Sequence, residues 1–429
     1  MLFSKSRPTH ALARTLSGFL LALLSACGGG GGSGSMEPQV ATDPPTLNSL
    51  PPAPAIQNML AIVVDSGPAN TGYNVNRLYT TVTVCFPGST THCQTIDHVL
   101  VDTGSVGLRL LASVLAPGLN LSRITSNHGF PLLGCMQFID QSFAWGPIVT
   151  ADIALGGKTA ANTPIQIIGD PAFSHLAATC APGSPLQTAK SLGANGILGL
   201  GTQREDCGLA CTLAHSNGVY YTCTDSACTN PVGTRAPLAQ QVAHPVPKFS
   251  TDNNGLIIDL PTTSPPSAAT LKGSLIFGIG SQANNTMALN TPVLTSSGGS
   301  IGISTSFAGR TFQTTYIDTG SNGYFFDSAG ALAACGTGIN GFYCPATTTA
   351  LTATLTGANG QTLPVAFSVA NASTLFDTTQ AVLPQLAGDL PDLSAFDFGL
   401  PFFYGRRVYF GIQDVNGDGA FVAFEASKH

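Results

Sequence analysis

Charge is what this sequence has least of. Only 9% of its 429 residues are Asp, Glu, Lys or Arg, against roughly 25% in an average soluble protein. Basic residues are the scarcer sign, 16 against 22 acidic. That balance argues against nucleic acid or an anionic membrane surface as a partner. Tryptophan occurs once, at Trp145. No His-Glu-x-x-His pair is present, which closes one common route to a zinc hydrolase. Long apolar runs are missing too. The sustained one, Leu16 to Leu24, is too short for a permanent membrane helix. It follows Lys5, Arg7 and Arg14, so residues 1–26 read as an export signal. Removing it takes three bases and no acid, leaving 13 minus 22, or about −9.

What the chain does have is turn chemistry: 49 glycines and 29 prolines among short apolar alternations. Leu60 to Val64, Leu78 to Val84, Ile165 to Ile168, Leu256 to Leu260, Ile301 to Ser306, Phe312 to Ile317 and Ala350 to Leu355 read as strands. Helical signal is confined to Ala236 to Ala243 and Ser328 to Ala334. The fold class is therefore all-β, and 43.8 kDa is enough for two sizeable cores. Pro261 and Pro265-Pro266 punctuate the middle, so the chain divides into residues 58–262 and 263–429. Residues 27–57, opening with Gly28 to Ser35, form a Gly/Ser/Pro-rich tether expected to be extended and disordered.

One pattern occurs twice. Val101-Asp102-Thr103-Gly104-Ser105 and Ile317-Asp318-Thr319-Gly320-Ser321 each follow an apolar run, 216 residues apart (318 minus 102). A single Asp-Thr-Gly is weak, because turns after strands favour these residues anyway. Two extended copies suggest that each half brings one carboxylate to a shared cleft. The pair resembles the active-site motifs of pepsin-like aspartic proteases, and other matches follow in order. Asn195 to Gly201 (NGILGLG) and Asp397 to Tyr404 (DFGLPFFY) are similar to the apolar-apolar-Gly element crossing behind each catalytic loop. Gly273 to Gly278 (GSLIFG) resembles the strand opening the second lobe.

The resemblance implies a bilobal double β-barrel with a cleft between two pseudo-symmetric lobes, and a peptide hydrolase needing no cofactor. Two adjacent carboxylates cannot both ionise cheaply, so Asp102 and Asp318 would share a proton. One then activates water as a general base while the other polarises the scissile carbonyl. By the same resemblance Thr103 and Thr319 lock the loops together, Ser105 and Ser321 donate to the carboxylates, and the Gly104 and Gly320 amides do likewise. The reading in which both Asp residues merely cap turns explains neither the duplication nor the flanking matches. A pepsin-like flap would carry a tyrosine. Phe138 occupies that slot here, with Trp145 nearby, so these two aromatics are the flap candidates, or else simple packing residues under a hairpin.

Leu24-Ser25-Ala26-Cys27 resembles a bacterial lipobox, which makes Cys27 the lipid-bearing residue. The lipid would be the chain's only membrane contact, and Gly28 after it favours the outer membrane of the cell envelope. The other ten of 11 cysteines suit an oxidising compartment. Spacing suggests Cys85–Cys93, Cys335–Cys344 and Cys135–Cys180, with Cys207–Cys228 and Cys211–Cys223 nested. A zinc site from those last four is the alternative, although C-x3-C…C-x4-C departs from zinc-ribbon knuckles.

Asp414, Asn416, Asp418 and Glu425 fit a calcium loop, D-x-N-x-D-G-x5-E. Their flanks alternate as strands rather than helices, which favours a plain hairpin turn and no metal. Two functions remain open. One is a monomeric aspartic endopeptidase acting on polypeptides. The other is a pepsin-fold envelope binding protein with little or no proteolysis.

Overall fold

The computed structural model describes residues 45–51, 56–127, 129–180, 183–263, 267–296, 302–390, 394–414 and 419–427. The export signal, Cys27 and most of the 27–57 tether lie outside these residues, as do Asn416 and Asp418. Among the described residues no helix is long and apolar enough to cross a membrane.

Strands dominate, because β-branched and aromatic residues alternate with polar ones between glycine turns. Six strands close on themselves. Leu78–Cys85 pairs with Cys93–Asp102, which pairs with Gly196–Leu200. The order continues through Val106–Leu111, Lys158–Ile168 and Phe143–Leu155, which returns to Leu78–Cys85. Closure removes the free sheet edges that would otherwise invite aggregation. Val82, Val84, Val99, Val101, Leu108, Ile153 and Ile165 belong to the core around it.

Outer strands carry this sheet beyond the barrel. Met59–Val64 bonds to Leu78–Cys85 on one side and Leu271–Phe277 on the other. Gly255–Leu260, Arg406–Gly411 and Phe421–Ala426 follow. One sheet thus crosses the expected division near Pro261. Two four-stranded sheets complete the second half. One pairs Arg310–Phe312, Ser304–Phe307, Thr349–Thr356 and Thr362–Val369. The other pairs Thr314–Ile317, Ala395–Phe398, Tyr324–Phe325 and Ala387–Gly388. Phenylalanines fill the space here: Phe396 stacks on Phe326 at 4.7 Å and on Phe398 at 4.5 Å.

Both helical expectations need correction. In 236–243 only Leu238–Gln240 makes a helical turn, since Gln241 turns extended and its amide is held by Ala236 O and Gly208 O. Ser328 to Ala334 cannot coil, because Ala329 and Gly330 take left-handed φ of 51° and 81°. Among the described residues the α-helices are Ala189–Leu192, Leu209–Leu213 and Ala372–Asp377. The end of the tether is also not loose. Asn48 exchanges both backbone hydrogen bonds with Cys93, and Leu47 packs on the core.

Five disulfides form among the described residues. Cys85–Cys93, Cys135–Cys180 and Cys335–Cys344 agree with the spacing. The nested pair does not: Cys207 joins Cys211 and Cys223 joins Cys228. Each is a local loop, and all four thiols are consumed, which leaves none for zinc. Mapping of unreduced peptides should recover these two short bridges, and a Cys207–Cys228 cross-link would contradict the fold. Replacing Cys135 and Cys180 by Ala, opening a loop with separation 45, should cost about 4 kcal/mol. The Cys85–Cys93 pair, with separation 8, should cost about 2.5 kcal/mol.

Candidate active site

Each Asp-Thr-Gly-Ser run is a reversal wrapped around a central strand. Cys93–Asp102 runs parallel to Gly196–Leu200, with Asp102 opposite Gly199. The chain turns through Thr103-Gly104-Ser105 and leaves as Val106–Leu111, antiparallel to the other edge of the same strand. The second copy repeats this: Thr314–Ile317 lies parallel to Ala395–Phe398, and Tyr324–Phe325 lies antiparallel to it. The loop backbone presses on the residue ending each apolar-apolar-Gly run. A Cβ on Gly199 would stand 2.6 Å from Val106 backbone, and one on Gly399 would stand 2.2 Å from Gly323 O. Glycine is therefore obligatory at both.

Reciprocal hydrogen bonds join the two loops. Thr103 N donates to Thr319 Oγ1 at 3.1 Å, and Thr319 N donates to Thr103 Oγ1 at 3.0 Å. Each hydroxyl then donates across, Thr103 to Ile317 O at 2.8 Å and Thr319 to Val101 O at 2.7 Å. All four bonds are buried, where each is worth about 1 kcal/mol net and more if one partner is left alone. The carboxylates are held alike. Asp102 accepts from Gly104 N at 2.9 Å and Ser105 Oγ at 2.5 Å. Asp318 accepts from Gly320 N and Ser321 Oγ, both at 2.8 Å. A Cβ on Gly320 would come within 2.6 Å of Asp102 Oδ1, which measures how closely the second loop lies on the first aspartate.

Both carboxyls are buried and hydrogen-bonded to each other, so their ionisation separates. Burial and the charge of Asp102 push Asp318 up to about 7. Burial works against the charge on Asp102 as well, while the hydrogen bonds from Asp318, Ser105 and Gly104 favour it. The arrangement is one base beside one acid.

Two further residues belong to this surrounding and were not singled out by the sequence reading. Arg77 is buried, its guanidinium pKa lowered by desolvation, and its field acts on Asp102, Asp318 and Asp140. Its neighbour Asn76 fixes it there, donating to Asn322 O and Leu383 O, both at 2.8 Å. Asp397 is a third buried carboxyl, 2.6 Å from Ser321 Oγ. The signal for Arg77 was available: it is the first base after Cys27.

Both flap candidates are buried. Phe138 packs with Tyr79, Leu100, Leu111 and Ile197. Trp145 is buried among Cys135, Cys180 and Tyr221, with its indole N–H donating to Phe173 O at 2.9 Å. The hairpin instead turns Met136 and Gln137 toward a cavity of about 310 Å³ that Thr103 to Val106 and Thr315 to Ile317 also line. Of the calcium candidates, Glu425 is committed within the protein, accepting from Tyr409 OH at 2.5 Å and Thr291 Oγ1 at 3.0 Å. Its flanking strands pair as a hairpin.

The family described as protein of unknown function (DUF3443) matches residues 54–424. No curated protein matches the sequence. Among solved structures the chain is similar to the crystal structure of aspartic proteinase from Irpex lacteus, at 15% identity and a TM-score of 0.46. That match covers 86% of this chain and 97% of the other.

The electrostatics make a stability prediction. The folded chain keeps its Asp318 proton up to about pH 7, while the unfolded chain releases it near 3.8. This contribution is full below 3.8 and is lost as pH rises through about 7. In urea unfolding, wild type should lose up to about 4 kcal/mol over that window relative to Asp318→Asn, which has no proton to release. Parallel pH profiles for the two proteins would contradict the assignment.

Proposed function

The chain belongs to the family described as protein of unknown function (DUF3443), and from the geometry of its paired loops we propose that it is an aspartic endopeptidase. The observation that carries the reading is the interlocked pair itself: two hydrogen-bonded carboxyls, one favoured as acid and one as base, on symmetric turns. The resemblance to pepsin-like motifs supports it, and the proposal includes a bilobal arrangement in which residues 58–262 and 263–429 would be the lobes, with the carboxyls at the cleft between them.

In this mechanism Asp102 takes a proton from water, and the resulting hydroxide adds to the scissile carbonyl carbon. Asp318 gives its proton to the carbonyl oxygen, so no free oxyanion forms. The proton held by Asp102 then passes to the leaving nitrogen as the C–N bond breaks, and the diol returns its proton to Asp318. Rate should fall as pH rises through about 7, where Asp318 loses the shared proton, and again in acid as Asp102 is protonated.

A non-proteolytic binding role keeps one supporting observation. Phe138 has no hydroxyl and packs into the interior, and Met136 and Gln137 are what the hairpin offers the cavity. In either case the N-terminus is read as an envelope anchor through lipid on Cys27, followed by a spacer, on a monomer.

Asp102→Asn and Asp318→Asn should each lower cleavage of an unfolded protein by about 1000-fold or more while the chain stays folded. Activity surviving either change would sink the dyad. The spacer has no Lys or Arg between Cys27 and Arg77, so it cannot neutralise the carboxyls as a basic pro-segment would. Residues 45–429 alone should then match the mature chain at every pH. Latency that acid relieves only in the longer form would overturn this.

A further inference from the structure

The two loops are not equivalent behind their serines. In the central strand Ile197-Leu198-Gly199 of the first half, the position two before the glycine is a buried isoleucine. In Asp397-Phe398-Gly399 the matching position is an aspartic acid. Strand alternation puts Phe396 and Phe398 together in the aromatic core and sends Asp397 to the opposite face. There its Oδ2 meets Ser321 Oγ at 2.6 Å, and the same oxygen of Ser321 lies 2.8 Å from Asp318 Oδ2.

A serine hydroxyl has one proton and cannot donate to two carboxylates at once. One of the two contacts must therefore run the other way, with a protonated carboxyl donating to Ser321 Oγ. Asp397 suits that role. It is fully buried, and among the described residues no donor reaches its Oδ1. A charged carboxylate left so would be expensive. Resting on the peptidase reading, we propose that Asp397 is a positioning residue of the dyad, a neutral carboxylic acid that donates to Ser321 and fixes Ser321 as a donor to Asp318. The proton chain reads Asp397 Oδ2–H to Ser321 Oγ, then Ser321 Oγ–H to Asp318 Oδ2. Asp318 Oδ2 is thereby kept an acceptor, which leaves Oδ1 to carry the proton given to substrate.

The surroundings agree. Desolvation, then the negative charges of Asp318 and Asp102, keep Asp397 protonated well above the usual carboxylate range. The strand beside it places Tyr316 opposite Asp397, while Tyr324 pairs with Phe398 on the aromatic face, its hydroxyl tied to Arg406. Arg77 acts on Asp102 and Asp318 from the Asn76 clamp.

Infrared difference spectra test the protonation without requiring any cleavage. At about pH 8, where the dyad has lost its shared proton, wild type should retain the carbonyl stretch of one protonated carboxyl group, and Asp397→Asn should lack it. A band absent from wild type, or present in both, overturns the proposal whether or not the protein cuts peptides. If wild type shows the band but cleaves nothing, the peptidase reading fails and the placement of this proton stands. With an active enzyme, Asp397→Asn should keep the alkaline midpoint of kcat/KM, because its amide N–H replaces the donated proton. Asp397→Leu has no donor, and its midpoint should move up by about half a pH unit. A midpoint unmoved in the Leu variant, with only rate or stability reduced, would mean that Asp397 merely fills space.

Discussion

Two carboxyl groups side by side in a protein interior repel each other as soon as both are charged, and most of the structure around Asp102 and Asp318 answers that problem. Each carboxyl receives a backbone N–H and a serine hydroxyl from its own turn. The turns are in turn held by the four crossed threonine bonds, so neither aspartate can withdraw without breaking the other loop's hydrogen bonds. Behind each turn a glycine, Gly199 or Gly399, allows the backbone to close up. The barrel and the phenylalanine-packed sheets are the rigid supports that let these short contacts persist.

The pair was legible in the sequence because duplication is hard to produce by chance. Strand positions were legible too, since period-two alternation survives inspection along most of the chain. Asp397 was hidden for a physical reason. It stands inside an apolar motif, and only the pairing of its strand shows which face it takes and that Ser321 lies there. The same limit applies to Phe138 and Trp145: spacing places an aromatic near a hairpin but cannot say whether the ring faces out or into the core. Asn48 was misread because composition describes a tether well but says nothing of the free backbone groups at Cys93 that it meets. Cysteine spacing likewise names neighbours without naming partners, and the short bridges Cys207–Cys211 and Cys223–Cys228 fell outside the nested arrangement.

Charge is scarce across the chain yet concentrated in meaning. Arg109 with Asp206 and Arg407 with Asp259 are buried ion pairs, each at a distance below 3 Å and each tied to a tyrosine hydroxyl. Such pairs specify geometry more than they add stability. Arg77 differs in that its Nη1 has no hydrogen-bond partner among the described residues, and its field falls on the dyad. A buried cation near two acids favours the ionised state of one of them, which is the state a general base requires.

In the proposed mechanism water, activated between Asp102 and Asp318, attacks the peptide directly with no covalent intermediate on the protein. Single-turnover hydrolysis of a peptide in heavy-oxygen water tests this most directly. The account predicts that the new carboxyl of the N-terminal product carries a single labelled oxygen, and that an added amine nucleophile captures no acyl group. Transfer of the acyl group to the added amine, or no hydrolysis at any pH between about 3 and 7, would contradict it.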